Sequence, residues 1–198
     1  MKAGEIRLSE SRSKTNTPVG DTIGGGVVDR RMASVLGSFV FFWIAPASLA
    51  GWIPWLLTRW QAQAPLLGIP AVRWVGVTLT AVGAFCVIEC FWRFAVVGLG
   101  TPAPVAPTQH LVVSGLYRHV RNPMYLGVLA AIVGQALLFG SVGLLGYTIL
   151  VWLAFFAFVV VVEEPSLQRR FGSSYQAYRA HVRRWWPRLT PWRSPEGD

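Results

Sequence analysis

NPMYLGVLAAIVGQALLFGSVGLLGYTILVWLAFFAFVVVV, residues 122–162, is the stretch that decides the fold. Its 41 residues include no Asp, Glu, Lys or Arg. One membrane-spanning helix needs about 20 apolar residues, so this stretch has room for two. The sequence GSVG at residues 140–143 is the natural turn between them. We therefore predict a tight hairpin of two membrane-spanning helices.

The chain as a whole has the composition of a multi-pass membrane protein. Of its 198 residues, 53% are hydrophobic and only 14% are charged, which departs from a typical soluble domain. Two further apolar runs precede the hairpin, and the second of them carries Glu89 within it. We predict an all-α membrane bundle of about four transmembrane helices, at residues 34–57, 74–97, 123–140 and 143–163.

The distribution of positive charge predicts the orientation of these spans. Of the 18 Lys and Arg residues, 16 fall on one side of the predicted topology and only Arg59 and Arg73 on the other. By the positive-inside rule both termini are cytosolic. Topology and attraction to anionic lipids then account for most of the net charge of +9, so we expect membrane lipids and no nucleic acid as partners. We expect a multi-pass protein of a bacterial cytoplasmic membrane, whose oligomeric state the sequence leaves open.

The chain is predicted to form a single domain with a tail at each end. Residues 1–31 are polar and glycine-containing, which predicts a flexible cytosolic tail before the membrane domain at 32–198. Near the other end, Ser173 and Gln176 have the spacing of a capping box, which predicts the start of a helix. Its apolar face would lie against the membrane surface as a cytosolic amphipathic tail. That face consists of Tyr175, Tyr178 and Val182.

The densest polar cluster lies at one mouth of the predicted hairpin. The sequence GLYRHVRNPMYLG, residues 115–127, opens the third span, and Pro123 suits a first helical turn. Glu163 and Glu164 close the fourth span, where adjacent carboxylates oppose the helix dipole. Because both of these helix ends lie at one level of a hairpin, we expect the Arg121 cluster to meet the two glutamates.

Two interpretations of this acidic pair stay open. One is a structural salt bridge, with Arg118, Arg121, Arg169 or Arg170 as the partner. The other is a site for a cationic or zwitterionic ligand, with Arg121 and Tyr125 four residues apart across the start of the span. An anchor for lipid headgroups needs only arginines and tryptophans, whereas a ligand site also needs the carboxylates.

Other polar residues give weaker signals. Glu89 can pair with Arg93 one turn later, or can mark a functional acid inside a span. Cys86 and Cys90 share a helix face without metal-ligand spacing, so we predict small buried hydrophobes and no metal. His110 is either a solvated loop residue or a ligand contact.

The residues from the polar cluster onward resemble a known family. LVVSGLYRHVRNPMYLG, followed by EEPSLQRRFGSSYQAYRAHVRRWWPRL, is similar to the isoprenylcysteine carboxyl methyltransferases, which are integral membrane enzymes. Phospholipid N-methyltransferases share this C-terminal pattern. The resemblance covers residues 98–192, the motif-bearing half, and rests on the G-x-Y and R-x-P-x-Y block, the apolar hairpin, and then EE-x-x-L and FG-x-x-Y-x-x-Y. It implies S-adenosylmethionine bound from the cytosolic side and a lipophilic acceptor entering from the bilayer.

Carried over by position, the resemblance also implies a set of site residues. Arg121, Glu163 and Glu164 are the candidate catalytic residues, and His110 is a further candidate for donor binding. Many members have histidine where this chain has Asn122, which cannot take up a proton at neutral pH. The implied donor site consists of Gly100, Leu111, Val112, Gly115, Tyr117, Arg121, Asn122, Pro123, Tyr125, Glu163 and Glu164.

The expected function is methyl transfer from S-adenosylmethionine to a carboxylate, an amine or a thiol. A carboxylate acceptor needs no general base, whereas an amine or thiol needs one, and the candidates are the two glutamates or His110. Two other functions stay open at this point. One is a non-enzymatic membrane subunit or lipid-binding protein, and the other is a membrane reductase with a related C-terminal half.

Overall fold

A computed structural model describes residues 44–96 and 111–193 of the chain, and within these ranges it contains helices and no β-strand. The expected all-α class is confirmed for the described residues. The predicted tail at 1–31, Gly100 and His110 lie outside them, as does the first part of the span predicted at 34–57. The helices are α1, Ile53–Thr58; α2, Val72–Val96; α3, Pro123–Phe139; α4, Val142–Phe158; and α5, Glu164–His181.

Shorter helical turns link these five helices. A π-helical turn leads into α1 and a second one joins α4 to α5, so α4 and α5 run on as one continuous helical rod. Two 3₁₀ turns precede α2 and α3. The π turns are Ser48–Trp52 and Val159–Glu163, and the 3₁₀ turns are Leu66–Gly68 and Gly115–Arg118.

Helices α3 and α4 form the predicted hairpin. Pro123 occupies the first turn of α3, where its missing N–H costs no helical hydrogen bond. Gly140 ends α3 with φ of 72°, the left-handed conformation that glycine adopts without strain. The Ser141 hydroxyl then caps α4 by accepting a hydrogen bond from the Leu144 N–H at 3.3 Å. The turn expected at 140–143 is therefore confirmed.

Glycines bring the backbones of α2 and α3 into direct contact. A Cβ added at Gly83 would lie 2.5 Å from the Gly127 carbonyl oxygen, and one at Gly76 would lie 2.6 Å from that of Gly134. The two glycines of each helix are seven residues apart, so they lie on one helix face. Small residues of this kind let helices pack closely in a membrane, where the hydrophobic effect does not drive association. This interface was not among the features predicted from the sequence.

Two described helices are long and apolar enough to cross a membrane. They are Val72–Arg93 and the continuous rod Val142–His181. Only 28% and 11% of their most apolar stretches are buried in the protein. Such a surface suits lipid rather than water. Large exposed hydrophobic side chains on these helices include Trp74, Phe85, Ile88, Trp92, Ile149, Leu150, Leu153 and Val161.

The 40-residue rod is longer than a bilayer requires. From Val142 to the break at Gly172 it extends about 45 Å at 1.5 Å per residue, about one and a half times the thickness of a hydrocarbon core. Its apolar part ends at Glu163, which agrees with the boundary expected for the fourth span.

Helix α3 is apolar but has only 17 residues and is largely buried against its neighbours. The residues before α1 dock on the hairpin through side-chain hydrogen bonds, from Gln135 to the Ala50 carbonyl at 2.7 Å and from Tyr147 to the Leu49 carbonyl at 3.1 Å.

The rod bends within α5. Gly172 has φ of 50° and ψ of −121°, which breaks the helical backbone directly before Ser173. Beyond the break, Tyr175, Tyr178 and Val182 are buried together. These three residues share one face, as predicted, but that face packs within the protein and not on a membrane surface. It packs on the segment before α3 and on Trp192 near the end of the described chain.

Candidate functional site

The polar cluster at the start of α3 is held in place by the end of α2. Gly115 has φ of 55° and lies against the ion pair between Arg93 Nε and Glu89 Oε1, which are 2.7 Å apart. A side chain at position 115 would overlap these two residues. The helical pairing expected for Glu89 is thus present, and it forms one wall of the segment that leads to Arg121.

Glu164 is the centre of a buried charge network. Its Oε1 accepts hydrogen bonds from Arg121 Nη1 at 2.9 Å and from Arg184 Nε at 2.7 Å. Its Oε2 accepts a third from Arg184 Nη2 at 2.8 Å. Arg184 therefore binds the carboxylate at two points, and Arg121 at one point. The side chains of Arg121 and Glu164 are each only 10% exposed.

The ionisation of Glu164 follows from these contacts. Burial by itself raises the pKa of the carboxyl, but the hydrogen bonds from Arg184 and the charges of Arg121, Arg184 and Arg179 outweigh it. The pKa of Glu164 is therefore held below its ordinary value, and the group is a carboxylate at neutral pH. The same hydrogen bonds raise the pKa of the Arg184 guanidinium.

Glu163 points to different partners. Its Oε2 accepts a hydrogen bond from the Tyr125 hydroxyl at 2.7 Å. The Tyr125 ring in turn packs on Phe155, with ring centroids 4.5 Å apart. This contact ties the first turn of α3 to the last turn of the fourth predicted span. The expected meeting of the Arg121 cluster with both glutamates is confirmed.

The segment after α5 lies along the residues that precede α3. Backbone hydrogen bonds join the Arg121 N–H to the Arg183 carbonyl at 3.0 Å and the Arg188 N–H to the His119 carbonyl at 2.9 Å. The Asn122 side chain donates to the Arg184 carbonyl at 3.2 Å. The C-terminal segment is thus fixed against the motif block by the backbone as well as by charge.

Two tyrosines of α5 complete the inner wall. The Tyr178 hydroxyl donates to the Tyr117 carbonyl at 2.7 Å, and the Tyr175 hydroxyl accepts from Arg121 Nη1 at 3.3 Å. Burial raises the pKa values of Tyr117 and Tyr178, so both phenols are neutral across the physiological range.

The amino-acid sequence is similar to those of known proteins. The sequence model of the phospholipid methyltransferase family matches residues 71–174, more than half of the chain. The chain belongs to the phospholipid methyltransferase family. Protein-S-isoprenylcysteine O-methyltransferase of Schizosaccharomyces pombe is 37% identical to it over 73 residues, which are 36% of this chain and 30% of that protein. The chain therefore matches less than a third of this relative's length. No solved structure matches the chain at a significant level.

The residues that this family resemblance implied fall into three groups in the structure. Arg121, Asn122, Pro123, Tyr125, Glu163 and Glu164 converge at the mouth of the α3–α4 hairpin, as described above. Val112 and Tyr117 are buried in the core behind it, Gly115 lies against α2, and Leu111 packs on the C-terminal cluster. Gly100 and His110 lie outside the described residues.

Arg184 is the member of the network that sequence reasoning missed. From the sequence, Arg184 is only one of the charges that predict the topology. The predicted salt-bridge partners of the acidic pair are Arg118, Arg121, Arg169 or Arg170. Arg121 is indeed a partner of Glu164, but Arg184 makes the two-point contact. No motif or spacing marked it, because it lies 20 residues beyond Glu164 and after the end of α5.

Some polar atoms at this site of the phospholipid methyltransferase-family chain have no hydrogen-bond partner within the described residues. In the described part of the chain, Glu163 Oε1 accepts no hydrogen bond, and the buried Arg121 Nε has no hydrogen-bond partner. A glutamate side chain and an unpaired guanidinium N–H thus belong to the same cluster at the hairpin mouth. Buried polar groups are normally satisfied, so a ligand bearing both an ammonium and a carboxylate fits this pair of groups. Among the described residues, no group of three or more His, Cys, Asp and Glu side chains is arranged to hold a metal ion.

Proposed function

We propose that the protein transfers a methyl group from S-adenosylmethionine to a lipophilic acceptor held in or at the membrane. The observation that carries the proposal is the convergence of Tyr125, Arg121, Glu163 and Glu164 at one mouth of an apolar hairpin. Membership of the phospholipid methyltransferase family gives the reaction class. The two lipid-suited helices beside the cluster account for a membrane-associated acceptor.

The methyl donor carries the functional groups that the cluster can receive. Its ammonium would bind the open oxygen of Glu163, and its carboxylate would bind the open edge of Arg121. Tyr125 holds the Glu163 carboxylate in place from the other side through its hydroxyl. When bound, the donor supplies a methyl group already activated by a sulfonium. The chain therefore has to bind, align and exclude water.

The aromatic residues at the cluster suit a cationic ligand. The Tyr125 and Phe155 rings lie together beside Glu163, and Trp185 stacks on Phe156 at 6.5 Å between centroids. Aromatic faces attract cations, most strongly where water is excluded. These rings would line the space between the donor and the bilayer.

The acceptor group is a carboxylate, an amine or a thiol, and the experiment below distinguishes these three. The relative in Schizosaccharomyces pombe is named for O-methylation of an isoprenylcysteine, and the family model for phospholipids. A carboxylate acceptor would react without a base, whereas an amine or a thiol would need Glu163 or His110 to accept its proton. Asn122 would play no part in proton transfer, because its amide serves as a hydrogen-bond donor to the C-terminal segment.

The proposed topology places the donor site in the cytosol. The four spans are expected from the apolar runs of the sequence, and the cytosolic placement of both termini from its charge distribution. We expect the membrane to be the cytoplasmic membrane of a bacterium. Donor and acceptor would then reach the cluster from opposite directions, the donor from water and the acceptor from lipid.

Radiolabelled methyl transfer tests this proposal. The purified protein in lipid nanodiscs would be supplied with S-adenosylmethionine carrying a tritiated methyl group and with one acceptor at a time. The acceptors are a farnesylated cysteine derivative, phosphatidylethanolamine and a lipophilic thiol. We expect label in at least one lipid-extractable product, and its loss in Glu163→Gln. Absence of label with all three acceptors and with total membrane lipid, in a protein that unfolds cooperatively, would contradict the proposed activity.

A further inference from the structure

Arg184 connects the C-terminal segment to both charged motifs of the site. Its guanidinium donates to both oxygens of Glu164, and Glu164 in turn holds Arg121. Arg184 and Arg121 therefore share one carboxylate. Both side-chain hydrogen bonds of Arg184 go to Glu164, so we expect its effect on a ligand to pass through Glu164.

We propose that Arg184 is a positioning residue for the methyl donor. By occupying both oxygens of Glu164, it limits Arg121 to a single hydrogen bond with that carboxylate, made through Nη1, and keeps Nε available for the donor's carboxylate. This inference rests on the proposed function and deepens it. Glu164 becomes an internal counter-ion, and Glu163 is the carboxylate left for the ligand.

The geometry of arginine explains why a second arginine is needed. A guanidinium and a carboxylate prefer a planar, two-point arrangement, and arginine is specialised for it. In this site Arg184 makes that arrangement with Glu164, whereas Arg121 contributes Nη1 alone. Without Arg184, Arg121 would turn its own two-point edge toward Glu164. Arg121 Nε, which now has no partner, would then donate to Glu164 and would no longer be available to a ligand.

The placement of Arg184 is fixed independently of its side chain. Its carbonyl oxygen accepts from the Asn122 amide, and the preceding carbonyl, that of Arg183, accepts from the Arg121 N–H. A substitution at position 184 that keeps the backbone would therefore leave the segment in place. Its side chain also extends over the Phe156 ring at 6.0 Å from the centroid, which limits the directions it can take.

The test compares two donors and three variants. Binding of S-adenosylmethionine and of its decarboxylated analogue would be measured by calorimetry on the full chain in nanodiscs. Arg184→Gln removes the two-point contact, and Arg184→Lys restores the charge with a single point. Arg183→Gln is the matched control, because its side chain is exposed and only its backbone oxygen contacts Arg121. Thermal unfolding of each variant records whether the fold is intact.

We expect Arg184→Gln to weaken binding of S-adenosylmethionine about tenfold, the size of one lost hydrogen bond to a charged group. The same variant should bind the decarboxylated donor as tightly as the native chain does, within about twofold. Arg184→Lys should fall between, and Arg183→Gln should match the native chain. A general loss of structure would weaken both donors alike.

Two results would overturn the positioning role. One is equal weakening of both donors by Arg184→Gln and Arg184→Lys, and the other is native-like affinity for S-adenosylmethionine in a folded Arg184→Gln. In either case the native chain still binds the donor and the proposed function stands. Failure of the native chain itself to bind either donor would remove the proposed function and this inference together.

Discussion

Replacing Gly83 with alanine tests the close contact between α2 and α3. The added Cβ would lie 2.5 Å from the Gly127 carbonyl oxygen and 2.6 Å from the Ala131 backbone nitrogen. Ordinary contacts of a Cβ begin at 3.4 Å. Both neighbours are backbone atoms, so no side-chain rotation can relieve the overlap, and the helices must separate by about 1 Å at this point.

Separation of the helices has an energetic cost that can be estimated. Forcing extra atoms into a packed interface costs about 1–3 kcal/mol. At this chain length that loss corresponds to a decrease in Tm of about 2–12 °C. The loss should be larger for Gly83→Val, because a branched side chain adds further atoms to the same contact.

Gly146→Ala provides the matched control for this measurement. Gly146 lies within α4 and a Cβ there would meet nothing within 4 Å. Alanine in a helix is favoured over glycine by about 1 kcal/mol, so this variant should be at least as stable as the native chain. Tryptophan fluorescence during heating in one detergent gives the Tm of the native chain and of the three variants. Equal Tm values for Gly83→Ala and Gly146→Ala would refute the close packing of α2 on α3.

Three further predictions concern the charge network and the hairpin turn. Glu164→Ala leaves the partly buried Arg121 and Arg184 without their shared counter-ion and should destabilise the protein by about 3 kcal/mol, measured by thermal unfolding at neutral pH. The pKa of Glu164 is lower in the folded protein than its ordinary value of 4.5, so its contribution is present above about that pH and is lost as the pH falls through the folded pKa. The Tm of the native chain should therefore decrease more steeply below pH 4.5 than the Tm of Glu164→Gln, and parallel curves would contradict the assignment. Ser141→Ala removes the cap of α4 and should cost about 1 kcal/mol, whereas Ser141→Asp should retain most of the stability.

The apolar helices and their hairpin were predictable because their signals are local. A run of 41 uncharged residues interrupted by GSVG predicts two spans and a turn from composition alone. The meeting of Arg121 with the acidic pair followed from the hairpin, since antiparallel neighbours bring the start of one helix level with the end of the next. Pro123 and Ser141 then mark the helix starts by their own backbone chemistry.

The different contacts of the two glutamates, and the partner that Arg184 finds, were not predictable from the sequence. Glu163 and Glu164 are adjacent and identical in type, and only the direction of each side chain separates the carboxylate that contacts Tyr125 from the one that pairs with Arg121 and Arg184. Arg184 follows the last helix in a segment without periodicity, so its path back to Glu164 depends on tertiary contacts. The same holds for the glycine contacts between α2 and α3, because hydropathy describes which segments are apolar and not which faces meet.

The most direct test of the proposed function is calorimetric titration of S-adenosylmethionine into the native chain and into Glu163→Gln. The native chain should bind the donor saturably, and Glu163→Gln should bind it about 10–100-fold more weakly while unfolding at a similar temperature. Tyr147→Phe, which removes a hydrogen bond at the opposite end of α4, should bind like the native chain. Native-like affinity in a folded Glu163→Gln would contradict the assignment of Glu163 to the donor, and no binding by the native chain would contradict the donor site altogether.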